Sequence, residues 1–171
     1  MKLTPSTSGT FAIAPTPFFE DGRIDGASID RMTDFYLETG CTGITVLGIM
    51  GEAPKLDQAE AVAVATQVIR RAADMPVIVG VSSPGFAGMR SLARAAMDAG
   101  AAGVMIAPVP SLRTDDQIVG YFRQAAEAIG PDVPWVLQDY PLTLSVIMTP
   151  GVIRRIITYL RTARPTPCCC S

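Results

Sequence analysis

Short apolar runs recur along the chain at a nearly constant spacing, and their starts lie 33, 33, 27 and 31 residues apart. Continuous apolar runs are typical of parallel strands that are buried on both faces, whereas exposed antiparallel strands alternate apolar and polar residues. We therefore predict five buried parallel strands, over residues 11–14, 44–47, 77–80, 104–107 and 135–138.

Between these runs, apolar residues recur with the period of amphipathic helices. Asp57 followed by Glu60 has the spacing of a capping box and predicts the start of the second helix. Thr114 with Gln117 predicts the start of the fourth in the same way. Thr149 before a proline predicts the start of a fifth. The chain is thus expected to consist of five strand–helix units.

Residues 38–43 and 98–103 repeat the same order of residue types, 60 positions apart, and each segment leads into a predicted strand. In both segments one glycine is expected to end a helix in the left-handed conformation, and a second glycine precedes the strand. Strand–helix alternation at this pitch indicates βαβ units with right-handed crossovers.

Two folds fit this pattern, an open doubly wound sheet and a (β/α)₈ barrel. A doubly wound sheet usually carries a glycine-rich phosphate loop after its first strand. Here the first strand is followed by Pro15-Thr16-Pro17, which favours the barrel. The chain has 171 residues, enough for one domain but short of the roughly 250 that a complete barrel requires.

Composition excludes several classes of function. The net charge is −2 with no basic run, which argues against a nucleic-acid or membrane-surface partner. The sequence has no run of about 18 apolar residues, so no membrane span is predicted, and its start does not resemble a signal peptide. We therefore expect a cytoplasmic protein. The sequence contains no histidine, which removes histidine acid–base catalysis, serine–histidine triads and most zinc sites. We expect neither a metal nor a cofactor.

The loop after the second strand is the first candidate for chemistry, because active sites of barrels lie at the carboxyl ends of their strands. It reads Gly48-Ile49-Met50-Gly51-Glu52. Two glycines three residues apart allow backbone N–H groups to converge on an anion such as a carboxylate. The alternative is a tight turn into the next helix with no ligand.

This loop resembles the Gly-[Thr/Ser]-Thr-Gly-Glu motif of the dihydrodipicolinate synthase/N-acetylneuraminate lyase family. Pro15-Thr16-Pro17-Phe18, Asp21-Gly22 and Ile24-Asp25 are similar to the opening of that family, and residues 76–81 are similar to its third strand. The resemblance covers residues 8 to 160 and keeps the order, spacing and strand context of the motifs.

The resemblance implies a homo-oligomeric (β/α)₈ barrel that acts on pyruvate or another 2-keto acid through a Schiff base, without a cofactor. It also implies that the backbone of Gly48, Ile49, Met50 and Gly51 holds the keto-acid carboxylate, with Glu52 supporting the loop from behind. In the family, a tyrosine after the fifth strand typically relays protons.

The chain departs from the family at this site. Ile49 and Met50 replace the usual hydroxyl residues, and Gln138 stands where the tyrosine is expected. Glutamine cannot act as a general acid, so Gln138 could only hold or polarise a group. Tyr140, two residues further on, is the remaining candidate for a proton relay. The Gln-Asp-x-Pro ending is similar to the 2-keto-3-deoxy sugar-acid dehydratase branch. Residues 108–111 also lack the tyrosine pair of the synthases.

The Schiff-base lysine of the family is absent, since the only lysines are Lys2 and Lys55. Lys55 follows the candidate loop but lies in a charged segment, where we expect it to stay solvated and protonated. The sequence thus predicts a lyase-family chain that is inactive by itself. The alternative is a non-catalytic fragment that binds a carboxylate or pairs with a full-length subunit.

We assign residues 1–160 to a partial barrel and residues 161–171 to an irregular tail, which we expect to be translated out of frame after a truncation. A prenylation box or a soft-metal site at Cys168–Cys170 are the alternatives for the tail. Five strands cannot close a barrel, so we expect the apolar interior of strands four and five to be exposed unless another chain covers it.

Overall fold

The computed structural model describes residues 2–163 and 169–170. Its strands are β1 (Phe11–Ile13), β2 (Gly43–Val46), β3 (Val77–Gly80), β4 (Gly103–Ile106), β5 (Trp135–Leu137) and β6 (Cys169–Cys170). Its α-helices are α1 (Gly26–Glu38), α2 (Gln58–Ala72), α3 (Phe86–Ala99), α4 (Asp115–Ile129), α5 (Pro141–Leu144) and α6 (Pro150–Ala163), and a 3₁₀ turn spans Ala53–Lys55. The five predicted strands are confirmed to within one residue at each end.

The strands form one parallel sheet in the order β1-β2-β3-β4-β5-β6. Each of α1, α2, α3 and α4 packs against the next long helix, so that α4 contacts α6. Because right-handed crossovers between sequential neighbours all pass over the same face, such an order places these helices on one side of the sheet. A doubly wound sheet reverses its strand order and carries helices on both faces. The strand order therefore fits a partial barrel and excludes the doubly wound alternative.

The predicted helix starts are confirmed by their hydrogen bonds. The Asp57 carboxylate accepts from the N–H of Glu60 at 2.8 Å, and the Glu60 carboxylate accepts from the N–H of Asp57 at 2.9 Å. Thr114 and Gln117 form the same reciprocal pair at the start of α4. These bonds satisfy donors that the first turn of a helix leaves without partners, and so fix where each helix begins.

The repeat between residues 38–43 and 98–103 has a structural counterpart. A Cβ atom on Gly43 would lie 2.7 Å from the carbonyl oxygen of Pro76, and one on Gly103 would lie 2.8 Å from that of Pro134. Each glycine thus begins a strand where the backbone before the following strand approaches too closely for a side chain. The two segments repeat because they solve the same packing problem two units apart.

The main hydrophobic core lies between the sheet and its helices, and its largest fully buried side chains include Phe122, Ile29, Ile44, Met89 and Ile106. A smaller cluster on the opposite face of the sheet contains Leu3, Ile78, Ala102 and Met105. All four residues of β4 are buried, and in β5 only Val136 is half-buried. The expectation of an exposed interior at these strands was therefore wrong. One reason is that the N-terminal segment folds back, with the N–H of Leu3 donating to Ala102 at 2.8 Å.

The end of the chain also differs from the expected irregular tail. Helix α6 continues past residue 160 to Ala163, and β6 pairs in parallel with β5, with Cys169 opposite Val136 and Cys170 opposite Leu137. The edge of β5 presents unpaired N–H and C=O groups, which a following segment can pair with whatever its apolar pattern. Residues 164–168 and 171, including Cys168, lie outside the described residues, and the out-of-frame origin of the tail stays a prediction.

Candidate active site

A cavity of about 890 Å³ lies at the carboxyl ends of β2, β3, β4 and β5. Its walls come from the segments that follow these four strands and from the first turns of α2 and α3. Active sites of (β/α)₈ barrels lie at this end, because the loops after the strands converge there. The cavity is the place where candidate chemistry has to be sought.

The loop after β2 forms one wall of the cavity through Gly48 and Ile49. Met50, Gly51 and Glu52 do not line it, and the Met50 side chain is 59% exposed. The loop closes as a turn in which the N–H of Glu52 donates to Ile49 at 3.1 Å. Within residues 2–163 and 169–170, the N–H groups of residues 48–51 donate to no other group. Of these four residues, only Gly48 and Ile49 also line the cavity.

Two contacts hold this loop in place. The buried hydroxyl of Thr16 donates to the carbonyl of Gly51 at 2.6 Å. At the start of the loop, Leu47 has a left-handed backbone with φ of 56°, which directs its carbonyl oxygen over Gly80 in β3. A Cβ atom at Gly80 would lie only 2.0 Å from that oxygen. The loop conformation therefore depends on a glycine in the neighbouring strand.

No lysine lines the cavity. Lys55 forms an ion pair with Glu52, and the Lys55 side chain is 74% exposed. Lys2, near the N-terminus, is also exposed. The structure thus brings neither lysine to the place where the other candidate groups meet.

At the end of β5, Gln138 lines the cavity, and its N–H donates to Ile106 at 2.9 Å. Tyr140 does not line the cavity, and its side chain is 44% exposed. Tyr140 is the residue directly before helix α5, and Pro141 is the first residue of that helix. The two candidates from this segment are therefore separated, and only Gln138 faces the other cavity groups.

Sequence reasoning missed three residues next to the cavity. Ser82 and Ser83, which follow β3, both line it. The Ser82 hydroxyl accepts from the N–H of Ala107 at 2.8 Å, and the buried hydroxyl of Tyr121 in α4 donates to the carbonyl of Ser83 at 3.0 Å. Burial raises the pKa of Tyr121 to about 12, so it remains a donor at neutral pH. The pair of serines directly after a buried strand was the available signal.

Among the residues that the structure describes, no positive side chain lines the cavity. Asp57 is the one charged residue in its wall, and the Asp57 carboxylate already accepts from the N–H of Glu60. An anionic group bound here would be held by backbone N–H groups and neutral donors, which are effective in a site shielded from water. In the part of the chain that the structure describes, no helix has the length and apolar character of a membrane span.

Helices on one face of a sequential parallel sheet, with a cavity at the carboxyl ends of the strands, define a portion of a (β/α)₈ barrel. Residues 6–162 match the model of the dihydrodipicolinate synthetase family, and the chain belongs to that family. The family resemblance and the barrel fold predicted from the sequence are confirmed.

Three known proteins illustrate the similarity. The 4-hydroxy-tetrahydrodipicolinate synthase of Pelobacter propionicus is 33% identical over 150 residues, which cover 86% of this chain and 51% of the relative. The crystal structure of dihydrodipicolinate synthase from Rhodopseudomonas palustris is 71% identical with a TM-score of 0.89, covering 99% of this chain and 54% of that one. A dihydrodipicolinate synthase from Acinetobacter baumannii, complexed with pyruvate, is 26% identical with a TM-score of 0.79 and covers 87% and 51% of the two chains. This chain therefore spans about half the length of the proteins it matches.

Proposed function

We propose that this chain carries the carboxylate-binding part of a lyase site that acts on pyruvate or a 2-keto-3-deoxy sugar acid through a Schiff base. We further propose that residues 1–171 bind such an acid without converting it. The observation that carries both statements is a cavity of about 890 Å³ that contains Gly48, Ile49 and Gln138 but no lysine.

The binding part of the proposal is supported by the free N–H groups of the loop after β2 and by the absence of a carboxylate in the wall other than Asp57. Backbone N–H groups that converge in a turn bind anions without a cationic side chain. The pyruvate complex of the Acinetobacter baumannii relative shows that a protein with this fold takes a small keto acid.

The second part follows from the chemistry of the imine. A Schiff base requires a neutral amine that attacks the keto carbon, and enzymes obtain one by desolvating a lysine. Lys55 is solvated and paired with Glu52, and it lies outside the cavity. Gln138 is placed to hold or polarise a group of the ligand, but its amide cannot transfer the protons that turnover requires.

The test is to combine calorimetric titration of the purified chain with borohydride trapping, both with pyruvate. We expect saturable binding and no covalent adduct at Lys2 or Lys55 by mass spectrometry. Lys55→Arg, which keeps the charge but cannot form an imine, should bind pyruvate as the unaltered chain does. Turnover of a keto acid, or an adduct that Lys55→Arg removes, would refute the non-catalytic part. Absence of binding would refute the carboxylate site.

Among the branches of the family, we propose the sugar-acid dehydratase-like one for the substrate. Gln138 lies in the cavity wall where a relay tyrosine is expected, and the wall segment 107–111 carries Ser111 and no tyrosine. The three similar proteins named above are all called synthases. A tighter complex with 2-keto-3-deoxygluconate than with pyruvate would support this assignment, and equal affinities would contradict it.

A second candidate function is pairing with a full-length subunit. Among the described strands, β1 pairs only with β2, which leaves one edge of the sheet open. We also propose, by inference from the family, that the protein forms homo-oligomers and is located in the cytoplasm. Co-expression with an intact family member, followed by affinity capture through a tag on this chain, tests it, and recovery of the tagged chain alone would contradict it.

A further inference from the structure

The loop between β3 and α3 is held to its surroundings at three points. The Ser82 oxygen accepts from the N–H of Ala107 at 2.8 Å, and the Ser83 oxygen accepts from the N–H of Gly85 at 3.1 Å. The hydroxyl of Tyr121 donates to the carbonyl of Ser83 at 3.0 Å. These bonds tie the loop to β4, to the start of α3 and to α4, so both serine oxygens have fixed positions in the cavity wall.

The direction of these bonds decides what the serines can offer a ligand. A backbone N–H is always the donor, so each serine oxygen acts as an acceptor within the protein. A serine hydroxyl has one proton to donate besides its acceptor lone pairs. Neither serine proton is given to another described residue. Two positioned O–H donors therefore remain for a group inside the cavity.

We propose that Ser82 and Ser83 recognise oxygen atoms on the tail of a 2-keto acid, remote from its carboxylate, and that Tyr121 is a positioning residue for this pair. The inference rests on the proposed function and assigns the substrate class of the same site, a keto acid with an uncharged, hydroxylated tail. The carboxylate is held by the loop after β2, and the tail by the loop after β3.

The charge and the size of the cavity both favour such a tail. No lysine or arginine of the described part of the chain lines the wall, so a second carboxylate or a phosphate would lack a counter-charge there. Ser111, Gln138 and Thr143 add neutral hydrogen-bonding groups. A cavity of about 890 Å³ is also much larger than pyruvate needs and lies in the range that takes drug-sized ligands. A neutral polyhydroxyl chain fits both conditions.

The experiment compares pyruvate, which has no tail, with 2-keto-3-deoxygluconate, titrated calorimetrically into the full chain. We expect Ser82→Ala and Ser83→Ala each to lower the affinity for the sugar acid by roughly 2- to 10-fold, which corresponds to the loss of a single neutral hydrogen bond. The affinity for pyruvate should not change. Ser82→Thr keeps the hydroxyl and should restore binding. Ser91→Ala, on the exposed surface of α3 and outside the cavity wall, is the matched control.

Tyr121→Phe keeps the ring and removes only the hydroxyl that holds Ser83. We expect the affinity for the sugar acid to fall while that for pyruvate is retained, with faster amide exchange over residues 82–85. A purely structural role of Tyr121 would weaken both ligands together. Thermal midpoints of all variants show whether each is folded, and Ser82→Thr provides the test if Ser82→Ala is not.

The possible results separate the two proposals. If pyruvate binds but the sugar acid binds no more tightly, or if the serine variants weaken both ligands equally, the tail site is refuted and the carboxylate site stands. If neither ligand binds, the proposed function fails and the tail site fails with it. Selective loss of the sugar acid supports both.

Discussion

The contact between Gly80 and the carbonyl of Leu47 makes a sharp prediction about the substitution Gly80→Ala. The added Cβ would lie 2.0 Å from the Leu47 oxygen, 2.7 Å from its carbonyl carbon and 3.2 Å from the nitrogen of Gly48. Restoring ordinary van der Waals distance of about 3.5 Å would require β2 and β3 to separate locally by about 1.5 Å. All three atoms belong to the backbone, so no side-chain rotation can relieve the overlap.

Overpacking of a buried site typically costs about 1–3 kcal/mol, and we place Gly80→Ala at the upper end, about 3 kcal/mol. That is a large part of the roughly 5–15 kcal/mol that stabilises a domain. Gly120→Ala is the matched control, because a Cβ at Gly120 meets no atom within 4 Å and Gly120 lies inside helix α4. There the substitution should stabilise by about 0.5–1 kcal/mol, since alanine loses less backbone entropy in a helix. The same change from glycine to alanine is thus expected to destabilise the protein at Gly80 and to stabilise it at Gly120.

Urea denaturation followed by fluorescence measures both free energies of unfolding. Trp135 is the single tryptophan of the chain, and it is 4% exposed and stacked on Phe122 at 6.0 Å, so its emission reports the core directly. The prediction is a difference of about 4 kcal/mol between the two variants at equal urea dependence. If the free energy of unfolding of Gly80→Ala lay within about 0.5 kcal/mol of that of the unaltered chain, the argument would be refuted, since the loop would then tolerate a displaced Leu47 carbonyl.

Two further predictions concern residues that hold the site loops. The pKa of Tyr121 is raised to about 12 by burial, against about 10 in the unfolded chain, so its contribution to stability is complete below pH 10 and is lost as pH rises to 12. Over that interval we expect a decline of about 2–3 kcal/mol that Tyr121→Phe removes, measured by urea denaturation at each pH, and an identical decline in both chains would contradict it. Thr16→Val removes the bond to the Gly51 carbonyl and should cost about 1–3 kcal/mol and weaken pyruvate binding, whereas unchanged stability would mean that Gly51 finds another donor.

The elements were predictable where their determinants are local. The capping boxes at Asp57 and Thr114 are read within four residues of sequence, and both form as predicted. The strands were found because burial on both faces requires continuous apolar runs. The choice between barrel and doubly wound sheet needed only the missing phosphate loop, and the sequential strand order agrees with it.

The site was less predictable, because its groups meet only through the fold. Ser83 and Tyr121 are 38 residues apart, and Ser82 and Ala107 are 25 apart, so no local pattern joins them. Tyr140 was a candidate for the proton relay on the assumption that the alternation of strand side chains continues to it, so that it faces the same way as Gln138. Strand β5 ends at Leu137, however, and Pro141 begins a helix, so the alternation does not reach Tyr140.

The sequential arrangement of the strands also governs how local stability is distributed through the molecule. Each strand–helix unit makes its main contacts with the units before and after it, as in a linear array whose stability is a sum of nearest-neighbour terms. Strand β3 has a partner on both sides, whereas β1 in the described sheet has only β2. Opening should therefore begin at the outer units and reach the central strands β3 and β4 last. The loop after β3, which we propose for the ligand tail, belongs to a unit that stays closed longest, whereas the loop after β2, proposed for the carboxylate, lies one unit nearer the open edge.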